Sequence, residues 1–113
     1  MTTDRVKLFQ GTLDLLVLQT LIFGPRHGHG VATAIEEISE KAFLIDHGSL
    51  YPALQRLERA KLITSARGTS ENNRRARFYS LTPRGRRWLS HETSNWEKMV
   101  RAVARILKPQ EAP

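Results

Sequence analysis

The chain predicts a mainly helical fold with a small β-hairpin: a winged helix-turn-helix followed by a long C-terminal dimerisation helix. Three observations point to it. Apolar residues recur at helical spacing in three successive segments before residue 60. Two strand-like runs, Leu62 to Ala66 and Arg77 to Leu81, then bracket the polar stretch RGTSENNRRA. Last comes an uninterrupted helical stretch, entered through Thr82-Pro83 and open to Pro109. With 113 residues, 40% of them apolar, the chain is long enough for one modest core and too short for two. The expected organisation is a winged-helix unit over residues 1–83, with its first helix also a dimer contact, and a dimerisation helix over 84–113 in the same compact body.

The first helix is expected in LDLLVLQTLIF, capped by Gly11-Thr12, with Asp14 near its positive end and Gly24-Pro25 as its stop. Its apolar residues fall on nearly every side, so one stripe is free to meet a partner subunit. A second helix from about Val31 to Ala42 would bury Val31, Ile35 and Ile38 and expose Glu36, Glu37 and Glu40. Phe43-Leu44-Ile45 is short enough to be a small strand. The third helix, capped by Ser49 with Pro52 in its first turn, turns Leu50, Ala53, Leu54 and Leu57 inward. That leaves Ser49 at its start and Tyr51, Pro52, Gln55, Arg56 and Arg59 on its outer face. Tyrosine and arginine bond phosphate, and glutamine pairs two atoms of an adenine edge, so this face suits a major groove.

The hairpin leans on the helices through Ile63, Phe78 and Leu81 and carries a long polar tip. Along the last helix, Leu89, Trp96 and Val103 recur every seven residues, with Met99 and Ile106 three beyond the latter two. Such a seam, on a helix of about 25 residues, outruns what so small a domain covers and calls for a second copy of the chain.

Charge sharpens the expectation. The formal charge is +7, and residues 61–90 alone carry eight Lys/Arg against one Asp/Glu. A positive field concentrated on the hairpin fits a polyanion, with Arg74, Arg75 and Arg77 near its phosphates. The absence of cysteine removes thiol catalysis, disulfides and thiolate metal sites. His27, His29, His47 and His91 show no ligand spacing for a metal, Ser49 has no base and acid partner in register, and no glycine-rich phosphate loop is present, so neither an enzyme nor a cofactor is expected. MTTDRVKLFQG lacks the apolar core of a secretory signal, and the run from Leu13 to Phe23 is too short to span a bilayer. A cytoplasmic protein without a membrane partner is expected.

The segments Gly11-Thr12-Leu13-Asp14-Leu15-Leu16, Gly24-Pro25-Arg26-His27-Gly28, Gly48-Ser49-Leu50-Tyr51-Pro52-Ala53-Leu54-Gln55-Arg56-Leu57-Glu58 and Tyr79-Ser80-Leu81-Thr82-Pro83-Arg84-Gly85 together resemble the PadR family of bacterial transcriptional regulators over nearly the whole chain. The tail HETSNWEKMVRAVARIL is similar to that of a short subgroup common in acidobacterial genomes. The resemblance implies a homodimeric repressor on double-stranded DNA, with Ser49, Tyr51, Pro52 and Gln55 at the groove and the wing arginines at phosphates. It also implies packing of the last helix on the partner's first helix, so Leu13, Val17, Leu89, Trp96, Met99, Val103 and Ile106 are the expected dimer residues. Many relatives carry tyrosine where this chain has His29, which takes that residue's place near the DNA backbone and brings a titratable ring. In some relatives interfacial aromatics stack flat ligands; Trp96 is either dimer core or the contact for a small hydrophobic or aromatic effector. The rival expectation is a winged-helix module for RNA or a protein partner, because a fold alone does not fix a function.

Overall fold

The computed structural model describes residues 10–108. The N-terminal nine residues, the end of the tail, and so the outer limits of the expected units 1–83 and 84–113, lie outside the described residues. The order is α1 (Gln10–Thr20), β1 (Arg26–His27), α2 (Gly28–Ile38), α3 (His47–Arg59), β2 (Ile63–Thr69), β3 (Arg75–Leu81) and α4 (Pro83–Leu107). The strands form an antiparallel sheet in the order β1-β3-β2, with Ile63 opposite Leu81, Thr69 opposite Arg75, and Arg26 opposite Tyr79.

The core lies where α1, α2 and α3 converge on the base of the sheet. Val17, Leu18, Val31, Leu50, Leu54 and Ile63 are among its most deeply buried residues. Each large aliphatic side chain removed from water here stabilises the fold by about 1.5–3 kcal/mol. Leu13, Val17 and Leu89 belong to this core, at 5%, 0% and 4% exposure. Their expected place in a dimer interface is corrected, since buried side chains have almost no surface left to give a partner.

Several element boundaries differ from the sequence expectation, each for a local reason. α1 already includes Gln10, so Thr12 lies inside the helix and is not its cap, and Asp14 is past the first turn. The helix ends at Thr20, short of Gly24-Pro25, and the Arg26 Nε–H donates to the Thr20 carbonyl at 2.8 Å, a cation on the negative helix end. α2 begins at Gly28, three residues earlier than expected, because the His27 Nδ1 accepts the Gly30 N–H at 2.9 Å. It stops at Ile38, where Glu40 and Lys41 turn to positive φ, and Ile38 is exposed instead of buried. Phe43 to Ile45 runs without pairing as a strand; Ile45 is buried and its N–H donates to the Glu36 carboxylate at 3.0 Å. The third strand of the sheet is β1, within the turn GPRHGHG.

For α3 the cap is Asp46, not Ser49. Its Oδ1 accepts the Ser49 N–H at 2.8 Å and its Oδ2 accepts the Ser49 hydroxyl at 3.2 Å. A carboxylate satisfies a free N–H and also faces the positive helix end, so the helix starts three residues earlier. Pro52 therefore lies inside the helix, where it forgoes a bond to the Gly48 carbonyl; Gly48 is exposed, which leaves that carbonyl to water. The helix closes through Lys61 at φ 62°, with the Leu62 N–H donating to the Leu57 carbonyl at 3.0 Å.

The start of α4 matches its expected cap and proline. The Thr82 hydroxyl oxygen accepts the Gly85 N–H at 3.0 Å while its proton goes to the Lys61 carbonyl at 2.7 Å, and the Thr82 N–H donates to the Leu62 carbonyl at 3.1 Å. Gly85 packs so closely against this corner that a Cβ there would overlap the Leu62 carbonyl oxygen. Because the obstacle is backbone, Gly85→Ala should destabilise the protein by about 3 kcal/mol, read as a lower urea midpoint at unchanged slope.

Candidate nucleic-acid interface

The exposed side of α3 follows from its apolar stripe. Leu50, Ala53, Leu54 and Leu57 are buried, which turns Ser49, Tyr51, Pro52 and Gln55 to solvent. The Tyr51 ring lies across the backbone of Gly28, where a Cβ would approach it to 3.0 Å, so the start of α2 props up the tyrosine. A file of rings extends from it. Tyr51 meets His47 edge-to-face at 5.5 Å, His47 meets His29 at 6.3 Å, His29 stacks on His27 at 6.3 Å, and His27 meets Phe78 at 5.6 Å. His29 is thus exposed beside the start of α3, while His27 is held inward by its capping bond. His47 was not singled out from the sequence for this face; it enters because the helix begins at residue 47. Among the described residues no group of three or more His, Cys, Asp or Glu is placed to hold a metal ion.

The hairpin supplies the charge. β2 and β3 continue well into the polar stretch expected to be the tip, and the turn itself spans only Ser70 to Arg74. The Ser70 N–H donates to the Arg74 carbonyl at 2.8 Å and Asn73 takes φ 59°, which closes the turn. Arg74 and Arg75, together with Arg26, His29 and Tyr51, line an open groove of about 780 Å³ between the wing and α2, which also contains Glu37 and Glu71. Arg67 stands directly opposite Arg77 in the register, a like-charged cross-strand pair that favours an anion between them. Arg67 was missed from the sequence because its partner becomes visible only once the strands are extended.

Arg77 is tied to the third helix. Its Nη1 donates to the Ser65 hydroxyl at 2.9 Å, and that hydroxyl donates to the Glu58 carboxylate at 2.6 Å. The bridge fixes the wing base relative to α3. Tyr79, not counted among the hairpin's anchors from the sequence, fills the space beneath it at 8% exposure, and burial first, then Glu58, push its phenol up, which keeps it neutral.

The fold that carries this helix and wing is one that known proteins share. The family model for the transcriptional regulator PadR-like family matches residues 17–91. The chain belongs to the PadR-like family. Its members are transcriptional regulators and not enzymes. A 37.1 kDa protein in a transposon of Streptomyces fradiae is 36% identical over 98 residues, 87% of this chain and 27% of that protein. A transcriptional regulator of Mycobacterium tuberculosis is 35% identical over 75 residues, 66% of this chain and 68% of its own length. The chain thus spans about a quarter of the first relative and two thirds of the second. Among solved structures, a transcriptional regulator from Clostridium thermocellum shares 27% identity at a TM-score of 0.79 over 88% of this chain and 93% of that one. A PadR family regulator from Clostridium difficile shares 27% identity at 0.74 over 84% and 97%.

Two further features of this PadR-family chain lie away from the α3 face. On α4, Trp96, Met99, Val103 and Ile106 are exposed, at 39%, 48%, 44% and 77%, and Val100 and Leu107 widen the apolar stripe. Arg56, expected to point outward, is turned back toward α1, where its Nη2 meets the Asp14 Oδ1 at 2.9 Å. Its place on the exposed face is corrected: after Gln55, the next residue along the helix rotates away from the face that carries Tyr51 and Gln55. No helix among the described residues is long and apolar enough to cross a membrane.

Burial raises the Asp14 carboxyl, outweighing the hydrogen bond and charge of Arg56, which lower it. A carboxyl raised in the folded state adds stability that is complete below its unfolded pKa and is lost as pH rises through the folded value. Relative to Asp14→Asn, the native chain should therefore gain stability as pH falls from neutral into the carboxylate range. Urea unfolding of both proteins across that range checks the sign.

Proposed function

We propose that this PadR-family chain is a repressor that binds a pseudo-palindromic operator as a homodimer. The observation that carries the reading is the joint exposure of the α3 face, Ser49, Tyr51, Pro52 and Gln55, and of the wing arginines: Arg74 and Arg75 share a groove with Tyr51, and Arg77 is exposed on the strand that carries Arg75. Gln55 reads base edges in the major groove, while Tyr51 and His29 contact the backbone beside it. The wing lies along neighbouring phosphates, where Arg67 adds to the three arginines recognised from the sequence. Arg56 has no part in this contact.

Residues 1–83 form the DNA-binding unit and 84–113 the dimerisation helix, through the apolar stripe Trp96, Met99, Val103 and Ile106. Leaving so continuous an apolar stripe in water is unfavourable, and a two-fold partner covers it with the same stripe. The two α3 helices then meet major grooves about 34 Å apart. Derepression follows if a small hydrophobic or aromatic effector, stacked on Trp96, favours a dimer with the wrong spacing; its differential affinity for the two spacings sets the size of the response. The protein acts in the cytoplasm, where its DNA is.

Selection of genomic fragments by the purified protein, then footprinting of the strongest complex, tests the reading. One dimer on two inverted half-sites is expected; diffuse binding without half-sites overturns it. On the selected operator, Gln55→Ala should cost about 1–3 kcal/mol of specific affinity and spare non-specific binding. Arg74→Ala with Arg75→Ala should weaken all DNA and reduce the slope of log K against log salt by about 2. Trp96→Ser with Val103→Ser should yield monomers in sedimentation at micromolar concentration, with the helical circular dichroism retained.

A further inference from the structure

The Asp14 carboxylate belongs to two places at once. On one side it holds the Arg56 guanidinium of α3, across 42 residues of sequence. On the other it lines a cleft of about 310 Å³ between α1 and α4, opposite Trp88, Glu92, Asn95, Trp96 and Met99. Arg56 directly follows Gln55, so the restraint on α3 is applied within the turn that reads DNA.

The bond itself is incomplete. An arginine fork can engage a carboxylate through two N–H groups, and here a single Nη2–Oδ1 contact is made. The Arg56 Nε–H is buried without an acceptor among the described residues. A small shift of α3 against α1 that brought Nε–H to the second carboxylate oxygen would satisfy it. The contact is therefore made at one point where the chemistry of the two side chains allows two, and passing from one to the other changes how α3 is held against α1. Packed elements with two arrangements are what transmit a local change to a distant site.

We propose that Asp14 is a positioning residue for α3, and that the Asp14–Arg56 pair couples the α1–α4 cleft to the pose of the DNA-reading helix. A group seated in the cleft that donates hydrogen bonds to Asp14 draws the carboxylate off Arg56 and alters how α3 is held. Linkage makes the effect reciprocal, so DNA bound to α3 must change the cleft. The inference rests on the DNA-binding reading above and adds to it the route by which the two ends of the molecule communicate.

The chain carries its own probe, since both of its tryptophans line this cleft. The full chain is titrated with its selected DNA fragment while tryptophan emission and DNA anisotropy are read together. In the native protein, emission is expected to change in step with binding. Asp14→Asn should still bind the fragment, with the emission change per bound DNA reduced to less than half, and Asp14→Glu should restore most of it. Arg56→Gln removes the same bond from the other end and should lose the same signal, which keeps the test informative if one variant folds poorly. An ion pair with only a structural role would lower the melting temperature and leave the emission change per bound DNA untouched. That result, or native protein saturated with DNA at constant emission, overturns the coupling. Failure of the native protein to retain any fragment overturns the DNA-binding reading, and the coupling with it.

Discussion

The corner where α3 ends and α4 begins is the constraint on which the rest of the molecule depends. Two consecutive carbonyls, of Lys61 and Leu62, accept the hydroxyl and the N–H of Thr82, and Gly85 closes on them with no room for a side chain. These bonds join the two ends of the hairpin at its base, so the wing must leave the helical core at that point. They also set the direction in which α4 departs. A single junction therefore relates the reading helix, the arginine-bearing wing and the long apolar helix, which are the three parts the proposed function needs in register. Lys61 carries a positive φ at this corner, a local strain of the kind folds retain where backbone geometry is over-determined.

From that junction outward, stability and function are divided by face. The inner stripe of α3 is sealed into the core, and the residues left over are those that suit DNA. The wing shows the same division: Ile63 and Tyr79 anchor its base, whereas the far end holds Arg67 opposite Arg77 and Arg74 and Arg75 at the turn. Like charges gathered at one end weaken the hairpin slightly in isolation. The cost is offset when a polyanion lies beside them, which is why a basic wing reads as a binding element more readily than as a structural one.

The sequence resolved element types better than element ends. Capping side chains explain most of the difference. Asp46 outcompetes Ser49 at the start of α3 and a histidine caps α2, a role that composition rarely suggests. β1 is a two-residue strand inside a glycine-rich turn, and nothing short of its pairing with β3 reveals it. Heptad spacing likewise placed Leu89 on one seam with Trp96 and Val103, although along that seam Leu89 rests on the core and only the positions from Trp96 onward are exposed. Periodicity identifies which residues share a face; it does not say where along a helix that face leaves the protein.

What the sequence alone determined is the set of local decisions. These are a first helix apolar on nearly every side, two amphipathic helices after it, a hairpin, a Thr-Pro helix start, a positive field confined to residues 61–90, and a motif string that resembles a regulator family. Each depends on neighbours within a few residues, through periodicity, capping or charge density. The tertiary structure decided which side chains remain available. It sealed Leu13, Val17 and Leu89 inside the protomer, turned Arg56 from the exposed face to Asp14, set Arg67 opposite Arg77, and brought His47 beside His29 and Tyr51. Those outcomes depend on contacts between residues far apart in the chain, and a helical period or a charge count contains no information about which distant element will pack against a given face.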